Sequence, residues 1–193
     1  MDFEHLTAPP KGKGRESHTD LMLSWNDVCV GVEAKYTEPH YPTVSTWLTS
    51  GTNPANREAV LAGWCDLIQA RTEEKFSVEA VSDITYQMIH RIAAVCSLPQ
   101  RHAHVVYQVF NPDDEKQQYY RSDLLKLRKV IGQTDAIKIW LSCVEMVPSD
   151  KYRKLLEQWS IDRKPCPSDV IDGLASGGLM AFTDSVFEQL TVE

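Results

Sequence analysis

Three side chains could do chemistry together: Asp20, and then Glu33 and Lys35 separated by Ala34. The runs Thr19–Trp25 and Val28–Tyr36 flank an Asn26-Asp27 break, which predicts an antiparallel hairpin closed by a two-residue turn. In that register Trp25 faces Val28, Leu23 faces Val30, Leu21 faces Val32 and Asp20 faces Glu33. Directly opposed residues hold their Cβ atoms about 4.5–5.5 Å apart, and two carboxylates that close repel unless a cation lies between them. A hard divalent ion such as Mg²⁺, or Mn²⁺, takes one or two carboxylates plus water and phosphate oxygens. Asp20 and Glu33 would ligate it, with the Ala34 carbonyl as a further oxygen. Such an ion polarises a phosphodiester and acidifies a bound water. Lys35 would orient that water or neutralise charge in the transition state. The competing reading is a solvated strand face on which alternating charges are ordinary. Gly31, in mid-strand on the same face, predicts open space for a close approach.

These residues need a frame to hold them. Alternation puts Leu21, Leu23, Trp25, Val28, Val30 and Val32 on one apolar side of the hairpin, and Met22, Ser24, Cys29, Gly31 and the charged set on the other. Residues 1–17 read as irregular, with a turn of helix near Phe3–Leu6. Residues 37–54 read as loop, with a helical turn at Val44–Leu48. Apolar spacing predicts helices over Ala55–Ala70, Val78–Cys96 and Lys116–Val130, and strands over His104–Phe110 and Ile137–Val147. A short helix over Tyr152–Trp159, a polar linker and an apolar tail follow. The expected architecture is α/β, a mixed sheet flanked by helices in one domain spanning 1–193, with its core at about 12–147 and a helical extension over 148–193.

Composition narrows the function classes. The 193 residues carry 20 Lys and Arg against 27 Asp and Glu, a formal charge of -7, which excludes a polycation that coats nucleic acid. No apolar run is long enough to span a bilayer, and the acidic segment after Met1 does not read as a signal peptide. Cys29, Cys65, Cys96, Cys143 and Cys166 form no C-x-x-C pair. They read as buried thiols in a reducing cytoplasm, not as a zinc site.

Beyond the acid-acid-lysine set, a wider group of segments carries a resemblance. SHTDL from Ser17, VGVEAK from Val30, Glu38-Pro39, PTV from Pro42, Trp47 and YQMIHR from Tyr86 together resemble a bacterial branch of the PD-(D/E)xK nuclease superfamily, whose fold is restriction-endonuclease-like. The similarity runs from about Gly12 to Val147. It implies an αβββαβ core, Asp20 and Glu33 as metal ligands, and Lys35 as the catalytic lysine. It also implies a helix glutamine near the metal, here Gln87. Thr19 stands where the superfamily has its proline. The helix that precedes the core and carries a further acid is barely present, and Glu4 or Glu16 would have to replace that acid.

Other residues are weaker candidates. Glu38 could approach the same cleft or be a plain loop carboxylate. Gln87 and Arg91 are helical neighbours. His90 could contact phosphate or be a satisfied, partly buried histidine. His102 and His104 share a strand face without an acid beside them. Lys11, Lys13 and Arg15 form a basic, flexible arm that could touch phosphates, though their glycine spacing does not make a P-loop. The expected function is metal-dependent phosphodiester hydrolysis, foremost a DNA endonuclease of restriction or defence type, with RNA as another substrate. Because the chain is acidic, DNA binding should be weak and salt-sensitive, and a homodimer or companion subunit would help. The alternative is a non-catalytic module of the same fold that recruits a protein partner. In that case the tail from Ser168, with Val170, Ile171, Leu174, Leu179, Met180, Phe182, Val186, Phe187 and Leu190, either packs on another chain or closes its own core as a last helix.

Overall fold

The computed structural model describes residues 1–72, 76–162, 168, 172 and 178–191, and within these the side chains of 158–162 and 183–185 are left aside. Six strands form one sheet in sequence order: β1 (Asp2–Thr7), β2 (Ser17–Trp25), β3 (Val28–Lys35), β4 (His102–Phe110), β5 (Ile137–Pro148) and β6 (Met180–Gln189). β1, β2 and β3 run antiparallel; β3, β4 and β5 are parallel; β6 returns antiparallel on β5. Parallel neighbours need long crossovers. The first carries α1 (Val44–Thr49), α2 (Pro54–Gln69), a short 3-10 turn at Glu79–Val81 and α3 (Tyr86–Cys96), and the second carries α4 (Asp114–Ile131). α5 (Asp150–Asp162) follows β5. The mixed α/β class therefore holds.

Local chemistry explains the helix ends. Asn53 caps α2 by accepting the Asn56 amide, and Pro54 opens its first turn. Asp113 caps α4 through the Lys116 amide, and Gly132 ends it at φ +73°. α3 lies between the sheet and α2, and nearly all its side chains are buried. Tyr107 of β4 meets Tyr120 of α4 on that same sheet face, at 6.1 Å between rings. The core fills the space between this face and the helices.

The hairpin register is the one the Asn26-Asp27 turn dictates, with Leu21 opposite Val32 and Trp25 opposite Val28. Its faces are allotted the other way from simple apolar reasoning. Met22, Cys29, Gly31, Glu33 and Lys35 are buried under α3, while Leu21, Leu23, Val30 and Val32 are half-exposed and Trp25 is 74% exposed. The expected open space beside Gly31 is absent, because a Cβ there would collide with Val95 Cγ2.

Other expectations need correction. Phe3–Leu6 lies in strand β1, held by pairing with β2. The helix expected over Val78–Cys96 is broken before α3, because residues 82–86 bond to the 42–45 segment: Val44 N–H donates to Ile84 O, Ser45 N–H to Ser82 O, and Tyr86 N–H to Pro42 O. The αβββαβ order lacks its opening helix, since the first described element is β1. The helical extension over 148–193 is α5 followed by a strand, β6, that adds to the β5 edge. Val170, Ile171, Leu174 and Cys166 lie outside the described residues. Cys29, Cys65, Cys96 and Cys143 are buried free thiols, and burial pushes Cys65 and Cys96 each up to about 12.

Candidate active site

Asp20 sits where the hairpin forks. Ser17 and Thr19 are buried two apart on β2, yet the next buried residue is Met22, three further on, so the alternation changes phase across Asp20 and Leu21. On the neighbouring strand, Glu4 falls opposite Asp20 at the step that the β1–β2 ladder skips, with a φ of +53°. The last bonded pair of β2 and β3 is Leu21 with Val32, and beyond it Asp20 Oδ2 accepts the Ala34 N–H at 2.7 Å. Asp20 is therefore not a cross-strand partner of Glu33. It reaches the β3 backbone between Glu33 and Lys35, at the carboxyl end of that strand.

Glu33 and Lys35 point under α3. Lys35 Nζ lies 2.8 Å from Glu33 Oε1, and Arg91 Nε of α3 pairs with Oε2. The three are 2%, 3% and 8% exposed. Two cations therefore share one buried carboxylate. Arg91 Nη1 also donates to Ser17 Oγ at 2.8 Å, and Ser17 Oγ lies 2.9 Å from His90 Nδ1. With Arg91 and Ser17 both able to donate toward Nδ1, that nitrogen is the acceptor and the ring carries its proton on Nε2. Burial, then the Arg91 and Lys35 charges, holds His90 well below its ordinary 6.5.

The segment after β3 roofs the site. Lys35 Nζ sits 5.0 Å from the centre of the Tyr41 ring, His40 stacks on Tyr119 of α4, and Lys116 Nζ donates to Tyr36 O. Glu38 accepts the Tyr36 N–H at 2.7 Å. Burial pushes Glu38 up, but that amide, its own, Lys35 and Lys116 together outweigh it and leave Glu38 below the ordinary carboxylate range. Thr19 Oγ1, Tyr107 OH and Tyr120 OH are buried without a hydrogen-bond partner among the described residues. Tyr107 pairs with Glu33 in the β3–β4 ladder, and burial followed by Glu33 raises its hydroxyl far above 10.

Of the residues singled out from sequence, Asp20, Glu33, Ala34 and Lys35 converge, and Glu38 stands at their edge. Gln87 is buried one turn before Arg91, and His90 joins through Ser17. Sequence places Arg91 only as a neighbour of Gln87, although it is a main partner of Glu33. An arginine one helical turn past a glutamine in an apolar helix is the available signal. Lys11 pairs with Asp66 at 2.5 Å. Lys13 is fixed to α2, its N–H donating to Asn56 Oδ1 at 2.8 Å and its carbonyl accepting Asn56 Nδ2 at 2.7 Å. The arm is thus fastened to α2 at Lys11 and Lys13. His102 bonds to Asp135 O, and His104 is held below its ordinary value by burial, then Lys138 and His102.

Residues 2–151 match the family described as Domain of unknown function (DUF6946). The chain belongs to that family. No curated protein and no solved structure matches it. The part that matches DUF6946 runs from β1 through β5 and contains Asp20, Glu33, Lys35, His90 and Arg91, while β6 lies beyond it. Among the described residues of this DUF6946 chain no three His, Cys, Asp or Glu side chains are placed to hold a metal ion, and no helix is long and apolar enough to cross a membrane.

Proposed function

We propose that this chain is a metal-dependent phosphodiesterase acting on nucleic acid, in the first instance a DNA endonuclease of restriction or defence type. The observation that carries the reading is the fork: Asp20 bonds to the Ala34 amide between Glu33 and Lys35, so two acids and a lysine meet at the carboxyl end of β3. That is where α/β sheets collect their ligands. A Mg²⁺ or Mn²⁺ ion fits the donor set: Asp20, Glu33 and the Ala34 carbonyl are hard oxygens. The buried hydroxyls of Thr19, Tyr107 and Tyr120, without a partner among the described residues, suit a hydrated ion. Bound there, the ion supplies Lewis acidity to the phosphate and a more acidic water.

The protein's own contribution is positioning and charge. Lys35, once freed from Glu33 Oε1, presents an ammonium to the developing negative charge. Arg91 holds Glu33 Oε2, so the carboxylate keeps its orientation while Oε1 changes partner. Tyr41 and the 36–43 segment keep water away from Lys35.

The decisive experiment compares the wild type with Asp20→Asn, which keeps an acceptor for the Ala34 amide and removes the charge. Wild type is expected to bind Mn²⁺ in calorimetry and to nick plasmid or single-stranded DNA, and Asp20→Asn to lose both while melting at the same temperature. An RNA arm separates the substrates. Equal cleavage by Asp20→Asn sinks the assignment.

A second reading is favoured by the double pairing of Glu33 and by the exposed Phe182, Val186 and Phe187 on β6. On that reading the buried charges are structural and the chain recruits a protein partner. Wild type that neither binds metal nor cleaves would select it.

A further inference from the structure

A second cavity opens on the other side of the Ser17–Arg91 contact. It encloses about 400 Å³ between the 13–17 segment, α1, α2 and the start of α3, a volume in the range of small-ligand sites. Its charged lining is Lys13, Arg15, Arg57 and one acid, Glu16. Among the described residues none of the three cations has a carboxylate partner. Arg57 Nη1 donates to Trp47 O and to Ser50 Oγ at 2.9 Å. Three cations to one acid, in a chain with 27 acidic and 20 basic residues, is a local reversal of sign.

The rest of the wall is aromatic. Trp47 stacks on Tyr86 at 3.7 Å between centroids, Arg57 lies 4.8 Å over the Trp47 ring, and Trp64 Nε1 donates to Tyr86 OH at 3.2 Å. These contacts lock the rings, and the Asn56 clamp on Lys13 locks the arm. Gly12 at φ +72° and Gly63 are part of the same fit: a Cβ on Gly12 would meet Val60, and one on Gly63 would meet the Lys11 backbone. The cavity is therefore preorganised, which spares a ligand the cost of ordering it. His90 reaches its wall, and through Ser17 and Arg91 it is joined to Glu33.

We propose that this cavity is a nucleotide pocket, with a phosphate held by Lys13 and Arg15 and the planar base against the Trp47–Arg57 wall. It is sized for one nucleotide, not for a base pair. The moiety can come from the end of a nucleic-acid strand or from a free nucleotide. The strand-end source rests on the proposed nuclease function, because the pocket then seats a strand terminus beside Glu33 and Lys35; nucleotide binding itself does not.

The test uses the full chain with two probes, deoxyadenosine monophosphate and a 5′-phosphorylated oligothymidylate, each against its unphosphorylated counterpart. Binding is followed by calorimetry and by the fluorescence of the pocket tryptophans. Lys13→Gln/Arg15→Gln alters exposed side chains only, so the fold is kept. The expected result is saturable binding of the phosphorylated probes, at least about tenfold weaker in the double variant. For the oligonucleotide, the salt dependence should be shallower in the double variant by about 0.7 for each phosphate left without its cation. Binding of both probes supports the pocket with a strand end as source, and binding of the mononucleotide alone supports it with a free nucleotide. No binding of either up to about 1 mM, or affinity unmoved by the double substitution, overturns it. Asp20→Asn separates the two proposals, since it should abolish cleavage and leave mononucleotide binding intact.

Discussion

Glu33 holds two cations in a place water hardly reaches, so its removal is costly. Glu33→Gln keeps the shape but leaves Lys35 and Arg91 as buried charges without a counter-ion. Breaking a buried pair on one side costs about 3–5 kcal/mol, so the urea midpoint should fall steeply, and Glu33→Gln/Arg91→Gln should recover part of the loss. A midpoint equal to wild type would contradict the pairing. His90 makes a different prediction. Its folded-state value lies well below 6.5, while the unfolded chain takes up the proton near 6.5. Between those values the unfolded state binds more protons. The stabilising contribution is therefore complete above about pH 6.5 and declines as pH falls, by up to about 1.4 kcal/mol per pH unit, until the folded-state value is passed. His90→Asn keeps an acceptor for Ser17 and should flatten that part of the curve. Urea unfolding of both proteins between pH 5 and 7 checks it, and parallel slopes would rule it out.

At the scale of elements, the hairpin and α3 form one unit. Gly31 lets Val95 rest on the β3 backbone, and Cys29 Sγ lies 3.6 Å from the Val95 carbonyl. Gly31→Ala forces the two apart, at about 1–3 kcal/mol for an overpacked core site. Gly31→Ala/Val95→Ala should regain stability relative to Gly31→Ala alone, in thermal melts of the three proteins. A harmless Gly31→Ala would mean that the packing there can relax. The strands β2–β5 and helices α2 and α4 are legible in the sequence because their apolar periods are long and their caps local. The break ahead of α3 is not, because the groups that end the helix there are Pro42 and Asp123. Thr85 gives its N–H and hydroxyl to the Asp123 carboxylate at 3.2 and 2.6 Å, across 38 residues of chain. β6 escapes a sequence reading for a similar reason, since its strand conformation is set by pairing with β5.

For the whole molecule, the two sheet edges differ. β1 presents Asp2 and Glu4, charges that discourage a further strand. β6 presents Phe182 and Phe187, 63% and 58% exposed, with Phe187 stacked on Trp140 at 4.9 Å and Glu188 paired with Arg121 at 2.9 Å. Removing residues 149–193 would strip β5 of its β6 partner and uncover Trp140 and Cys143. Light scattering of the shortened chain should show higher-order species absent from the full chain. A shortened chain of one-copy mass would show that β6 is dispensable for solubility.

The sequence alone determined the turn at Asn26-Asp27, the register that follows from it and the spacing of Asp20, Glu33 and Lys35, because each depends on residues close together in the chain. It also determined the mixed sheet, through periods of two and of 3.6. Only the tertiary structure decided which hairpin face is buried. Alternation distinguishes the two faces but does not say which one meets α3. That choice follows from the crossover between the parallel strands β3 and β4, whose hand strand twist fixes. With it came the pairing of Arg91 with Glu33 and the fork that turns Asp20 to the Ala34 amide. The nucleotide-sized cavity between the arm and α2 came the same way. Each joins groups tens of residues apart, and no local pattern records such meetings.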